Sequence, residues 1–208
     1  MTRPPAFLDS VHSETLMPDP TPPAAPRLRL DHPVFALVKA AFPGKRLRAT
    51  EFRGQATLIV DPADAHEVLA FLKADPRTDF NFLSDVAGID YLNYPAATPG
   101  RFAVVYNLCS YPRDDRFFVK THLDPSLPTD GILEDPALTL DSVCDLWPGA
   151  EWPEREIFDM LGIRFRNHPD LRRLLLWEDY PGHPLRKDYP VRGRGERESY
   201  RIVDRTSA

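Results

Sequence analysis

The chain has 208 residues, 42% of them hydrophobic, and a formal net charge of −5. That length holds one ordinary domain with extensions, or two small ones, and the acidic balance excludes a general nucleic-acid binder, which carries a basic face. No run approaches the roughly 18–20 apolar residues of a transmembrane helix, and the opening MTRPPAFLDSVHSETLMPDP lacks the apolar stretch of a signal peptide, so a cytosolic protein is expected whose membrane contact, if any, is made through a complex.

Seven of the 23 prolines fall in the first 26 residues. Proline removes a backbone donor and disfavours helix, so residues 1–29 are expected to form a flexible extension. Asp31-His-Pro opens a first helix, with Asp31 as N-cap and Pro33 in the first turn. Val34, Phe35, Val38 and Ala41 or Phe42 mark its apolar side, and Pro43-Gly44 stops it. Arg46–Glu51 and Gln55–Val60 read as the strands of a hairpin turning at Arg53-Gly54. Asp61-Pro62 repeats the cap signal, and Ala65, Val68, Leu69 and Leu72 give the second helix one face. Phe80, Leu83 and Val86, three residues apart, suggest a short helical piece ending at Gly88. Tyr91–Gly100 is a loop by composition. Phe102–Ser110 and Phe117–Leu123 are the strongest strands, joined by the polar turn Tyr111–Arg116, and Leu138–Val143 adds one more. The expected fold is α+β: over residues 30–147, a two-layer sandwich of a mixed β-sheet with two main helices.

From about Ser142 the character changes. Trp152–Gly162 is a compact helix signal, with Pro153 at its start, acids in the first turn and Gly162 at the end. No long periodic segment follows, although Pro169–Leu176 has room for a short helix. Residues 151–190 hold seven basic and eight acidic side chains, and six of the seven bases are arginine. Residues 148–208 are therefore expected to be an extended arm. Arginine makes planar two-pronged contacts with carboxylates and tolerates burial better than lysine. Composition leaves two destinations open for such a segment: laid along another protein, or folded back by salt bridges onto its own domain.

Catalytic patterns are missing. The six histidines form no His-x-x-x-His or His-x-His pair, so no metal site is expected, and His168 and His183, each before a proline, are expected to pin the turns around them. Cys109 and Cys144 stand apart in apolar contexts and read as small buried hydrophobes, two thiols being too few for an iron–sulfur cluster. Gly-x-Ser-x-Gly, Gly-x-Gly-x-x-Gly and the phosphate-binding loop are all absent, so no cofactor binds by motif. A stand-alone small enzyme using His168 or His183 is the rival reading.

The run AEWPEREIFDMLGIRF from Ala150, with HPDLRRLL from His168 and GHPLRKDYP from Gly182, closely resembles the C-type subunit of the bacterial NADH–quinone oxidoreductase, the 30-kDa-subunit family of respiratory complex I. SVCDLWPGA from Ser142 and LSDVAGIDY from Leu83 fit as well, while residues 1–29 stand outside the resemblance. Asn167 stands where glycine is common in the family, and Tyr180 where tryptophan is common. The resemblance implies a core peripheral-arm subunit of an enzyme passing electrons from NADH through FMN and iron–sulfur clusters to quinone, these cofactors lying in partner subunits and none in this chain. It implies a scaffolding and assembly role with no catalytic residues, docking on the D-type, quinone-site subunit beside neighbours of the B and I types, at the cytoplasmic side of the inner membrane. The equivalent subunit of a membrane-bound hydrogenase or other-donor complex is the alternative. The signature residues are Glu154, Arg155, Glu156, Asp159, His168, Arg172, Arg173, His183, Arg186, Lys187 and Asp188, with structural and docking roles.

Overall fold

The computed structural model describes residues 32–130 and 134–196. The expected N-cap Asp31 and the extension 1–29 lie outside them. His32 takes the cap position of α1, Pro33–Ala41, where its Nδ1 accepts from the Val34 N–H. Val34 and Val38 turn into the core.

β1 (Leu47–Phe52) and β2 (Gln55–Val60) form the expected antiparallel hairpin. Arg53 (φ 51°) and Gly54 (φ 80°) are both left-handed at its tip, which matches the twist of the flanking strands. After a single turn at Pro62–Asp64, α2 (Ala65–Ala74) buries Ala65, Val68, Leu69 and Leu72, the face its spacing marked. β3 (Phe82–Asp90), β4 (Phe102–Ser110) and β5 (Asp115–Leu123) follow. The sheet order is β1-β2-β5-β4-β3, antiparallel throughout except for the parallel pair β2–β5. The fold is thus α+β around a mixed sheet, as expected.

One expectation is corrected. The segment read as a helical piece at Phe80–Gly88 is mostly the edge strand β3. Its register slips between Leu83 and Asp85. Such a bulge places an extra residue on one strand, so Leu83, opposite Leu108, and Val86, opposite Tyr106, face the same buried side although three apart. A period of two interrupted by one bulge imitates a period near three.

Beyond the loop after β5, β6 (Thr139–Asp141) pairs in parallel with β7 (Arg164–Arg166), making a separate two-stranded sheet. Between them lies α3, Glu151–Leu161. Leu140, Ala150, Ile157, Leu161, Ile163 and Phe165 join the same hydrophobic core as the helices and the main sheet. A fully buried aliphatic side chain contributes about 1.5–3 kcal/mol, so the beginning of the arm is integral to the domain. The division placed at 147/148 falls inside this continuous core.

Candidate docking interface

α3 owes its position to Gly88. A Cβ there would run into Leu161 and stand 3.2 Å from Ile157, so only glycine lets the helix lie this close to β3. Glu151 and Glu154 occupy the first turn, where the exposed backbone donors favour negative charge. Gly162, with φ 75°, closes the helix, its N–H donating to Phe158 O at 2.9 Å.

The side of α3 away from the sheet is also covered. Glu154, Arg155 and Asp159 are all buried, and the chain that follows α3 supplies partners for Arg155 and Asp159. Asp159 Oδ2 accepts the N–H groups of Leu174, Leu175 and Leu176 at 3.0, 2.7 and 2.9 Å, and Oδ1 accepts from Arg173 Nη1 at 2.6 Å. Burial opposes ionisation of this carboxyl, but the donors outweigh it and hold it below the usual carboxylate range. This capture is also why the expected short helix within Pro169–Leu176 does not form: three consecutive N–H groups converge on one carboxylate, which a helix interior forbids. Arg155 donates from Nε and Nη2 to the carbonyls of Arg172 and Arg173, both at 3.1 Å. Arg173 reaches on to Tyr180 O at 2.7 Å.

The two histidines pin turns, as their His-Pro context suggested. His168 accepts the Asp170 N–H on Nδ1, so Nε2 carries the proton and donates to Glu151 O, each at 3.0 Å. His183, 6% exposed, donates from Nδ1 to Asp159 O at 2.9 Å, and burial pushes its pKa down to about 4. A Cβ on Gly162 would sit 2.7 Å from the His183 ring. Asn167 has φ 61°, the left-handed region that asparagine tolerates better than most residues.

Further along, Arg186 is buried and donates to Leu161 O at 2.7 Å and Thr129 O at 2.9 Å. Lys187 donates its backbone N–H to Asp90 Oδ2 at 2.8 Å. Arg101 grips Asp90 two-pronged at 3.1 and 2.9 Å and meets Asp188 at 2.8 Å. Burial of Asp90 is outweighed by Arg101 and the backbone donors, keeping its pKa lowered. Arg101, Asp90 and Thr129 were missed in the sequence, because they lie 57–97 positions from their partners in the arm and no local pattern marks them.

Cys144, Glu154 and His168 bring three ligand-type atoms within 4.8 Å of one another. In this structure the three are held by hydrogen bonds. Glu154 accepts from Ser142 Oγ at 2.6 Å, Val143 N at 2.9 Å and the Cys144 thiol at 3.5 Å. Burial pushes the Cys144 pKa up to about 12, and the His168 proton lies on Nε2, 3.9 Å from Glu154.

Of the signature residues, Glu154, Arg155, Asp159, His183 and Arg186 are therefore inside the chain, as is the His168 side chain, and Arg173 is half-buried against it. Glu156, Arg172, Lys187 and Asp188 lie on the exterior. Beside them Trp152, Leu175, Trp177, Leu185 and Val191 remain exposed. The segment is clamped inside and apolar outside. Leu176, Trp177, Tyr180, Pro184, Leu185 and Tyr189 line part of a groove of about 780 Å³ on this side.

Comparison with known proteins fits this architecture. Residues 58–195 match the model of the family described as respiratory-chain NADH dehydrogenase, 30 Kd subunit. A relative from Geotalea uraniireducens, named as the C-type subunit of an NADH-quinone oxidoreductase, is 42% identical over 164 residues, covering 79% of this chain and 90% of the relative. NADH-quinone oxidoreductase subunit 5 of Thermus thermophilus is 50% identical over 120 residues, 54% of this chain and 52% of the relative. Among solved structures, a trypsin-resistant fragment of Nqo5 superposes with a TM-score of 0.54 at 35% identity, covering 67% of this chain and 97% of the fragment. A chain of an archaeal membrane-bound sulfane sulfur reductase shares the fold, with a TM-score of 0.59 at 20% identity over 83% of this chain and 92% of that one.

Proposed function

The chain belongs to the respiratory-chain NADH dehydrogenase 30 Kd subunit family, and from that premise we propose that it is the peripheral, non-catalytic scaffold subunit of a proton-translocating NADH:quinone oxidoreductase. It docks through residues 152–191 on the D-type, quinone-site subunit, beside neighbours of the B and I types. FMN and the iron–sulfur clusters belong to the partner subunits. No described helix is long and apolar enough to cross a membrane, in keeping with a subunit held at the cytoplasmic face by its neighbours.

The observation that carries this reading is the contrast within the C-terminal segment. Its buried charges find partners inside the chain, which fixes the backbone before any partner arrives. Its outer surface presents Trp152, Leu175, Trp177 and Leu185 among Glu156, Arg172 and Lys187. Rigid aromatic and aliphatic anchors within a charged rim are the composition of a protein interface, and a preordered surface loses less conformational entropy on binding.

The test is affinity purification of the tagged full chain from native membranes. Wild type should bring down the quinone-site subunit together with the NADH-oxidising subunits. A Trp177→Ala/Leu185→Ala variant should keep its fold and lose most of this co-purification. Undiminished recovery of the quinone-site subunit would overturn the docking role. Recovery of hydrogenase-type subunits in place of NADH-oxidising ones would change the electron donor and leave the docking role intact.

A further inference from the structure

All three helices lie on one side of the main sheet. Leu58, Val104 and Val119 point into that helical layer and are buried. The residues alternating with them point the other way. Register sets Arg48, Ile59, Lys120 and Val105 in one row across that second face, with Phe118 in the row on one side of it and His122 in the row on the other. No described helix covers them; at one end the Tyr91 ring packs against His122 and its hydroxyl accepts from Lys120.

A sheet face open to water normally alternates to polar residues. Here Ile59, Val105 and Phe118 form a half-buried apolar centre. Around it stand Arg46, Arg48, Arg116 and Lys120. Among the described residues no carboxylate pairs with the three arginines. The acids nearby are Asp85 on the face and Asp61 at the edge of the corner cavity. This cationic margin belongs to a chain whose net charge is −5. At one corner, Arg46, Arg48 and His122 line a cavity of about 550 Å³ together with Ile59, Asp61 and Pro99. Two buried polar atoms on the face, His122 Nδ1 and Asn107 Oδ1, have no hydrogen-bond partner, and buried polar atoms seldom stay unsatisfied.

We propose that this open sheet face is a second protein-docking surface, occupied by an acidic surface of another protein that places a carboxylate in the cavity between Arg46, Arg48 and His122. The charge of the face selects the occupant. A second copy of the chain in a two-fold contact would set the same cations against one another. A partner with carboxylates around an apolar centre neutralises the arginines and covers Ile59, Val105 and Phe118. Burial, followed by the nearby Lys120 and Arg48 cations, lowers the His122 pKa to about 4, so its ring enters the contact neutral and offers hydrogen bonds while the arginines supply the charge.

The proposal rests on the reading that the chain works within a larger assembly, but not on which partner the arm meets. The experiment uses full-length chain in its native membrane complex, with a photoreactive phenylalanine analogue replacing Ile59 in one strain and Leu185 in another. Position 59 should cross-link to a peptide of another subunit that is rich in Asp and Glu. Arg46→Glu/Arg48→Glu should lower that yield on the order of tenfold, as reversed charges slow encounter, while the cross-link from position 185 persists. Cross-links from 185 and none from 59 would overturn this proposal alone, as would a 59 cross-link to residues 1–31, to a second copy or to lipid. Cross-links from neither position would overturn the assembly reading as well.

Discussion

Arg173 and Asp159 meet at 2.6 Å across fourteen positions of sequence, and the same carboxylate closes the turn at Leu174–Leu176. One side chain of α3 thus organises the first bend of the segment that follows it. Asp159→Asn leaves the Arg173 guanidinium without its counter-charge in a site where Asp159 is 0% exposed. Removing one partner of a buried pair costs about 3–5 kcal/mol. The loss is expected to be local: the amides of Leu174–Leu176 should exchange far faster in the variant, measured by hydrogen exchange, while those of β4 and β5 stay protected.

Gly162→Ala should loosen the same segment by another route. At φ 75° the left-handed backbone costs an L-residue about 1–2 kcal/mol, and the new methyl would press on His183 and Arg186. Urea unfolding should show a fall of roughly 2–4 kcal/mol when overpacking is added. An unchanged midpoint would mean that neither the left-handed backbone nor the contact with the two side chains costs stability.

Asp90→Asn should release the far end of the segment. It removes the two-pronged acceptor of Arg101 and weakens the hold on the Lys187 backbone. Limited trypsin digestion is expected to cut after Arg186 or Lys187 several times faster than in the wild type, with the larger fragment ending at Arg186 or Lys187 accumulating.

Acid should weaken the structure in two stages. The folded-state pKa of His183 is lowered to about 4 from 6.5, so the unfolded chain binds the proton more readily. The stabilisation is fully present above about pH 6.5 and is lost as pH falls towards 4, amounting to about 2 kcal/mol between pH 7 and pH 5. His122 shifts the same way, to about 4, and adds to the slope. The lowered carboxyls of Asp90 and Asp159 contribute only at still lower pH. Stability measured by urea against pH should therefore slope less between pH 7 and 5 in His183→Gln than in wild type. Equal slopes would remove His183 from the account.

Much of the fold could be read locally. The stop at Gly162, the helical spacing of Ala65, Val68, Leu69 and Leu72, the Arg53-Gly54 turn, and the alternation in β4 and β5 depend on neighbours within a few residues, whereas Asp61 makes no cap bond and α2 starts at Ala65. β3 was misread because a bulge is a property of two paired strands, and its partner lies some twenty residues away. The candidate surface was legible only in outline. Arginine content and matched charge marked residues 151–190 as a segment that needs partners, but composition cannot tell an internal partner from an external one.

The amino-acid order alone determined the kind of layers, the positions of most turns, the absence of a cofactor motif and the family signature, because these are short-range or compositional properties. The tertiary structure alone decided which charges face inward. Arg186, a candidate for an external carboxylate, instead satisfies Leu161 O and Thr129 O, while Arg172 and Lys187 stay outside. It also brought Arg101, Asp90 and Asp188 together and left one sheet face open. The physical reason is that burial and pairing are set by distances in space between residues as far as 97 positions apart, and a linear pattern carries no record of those distances.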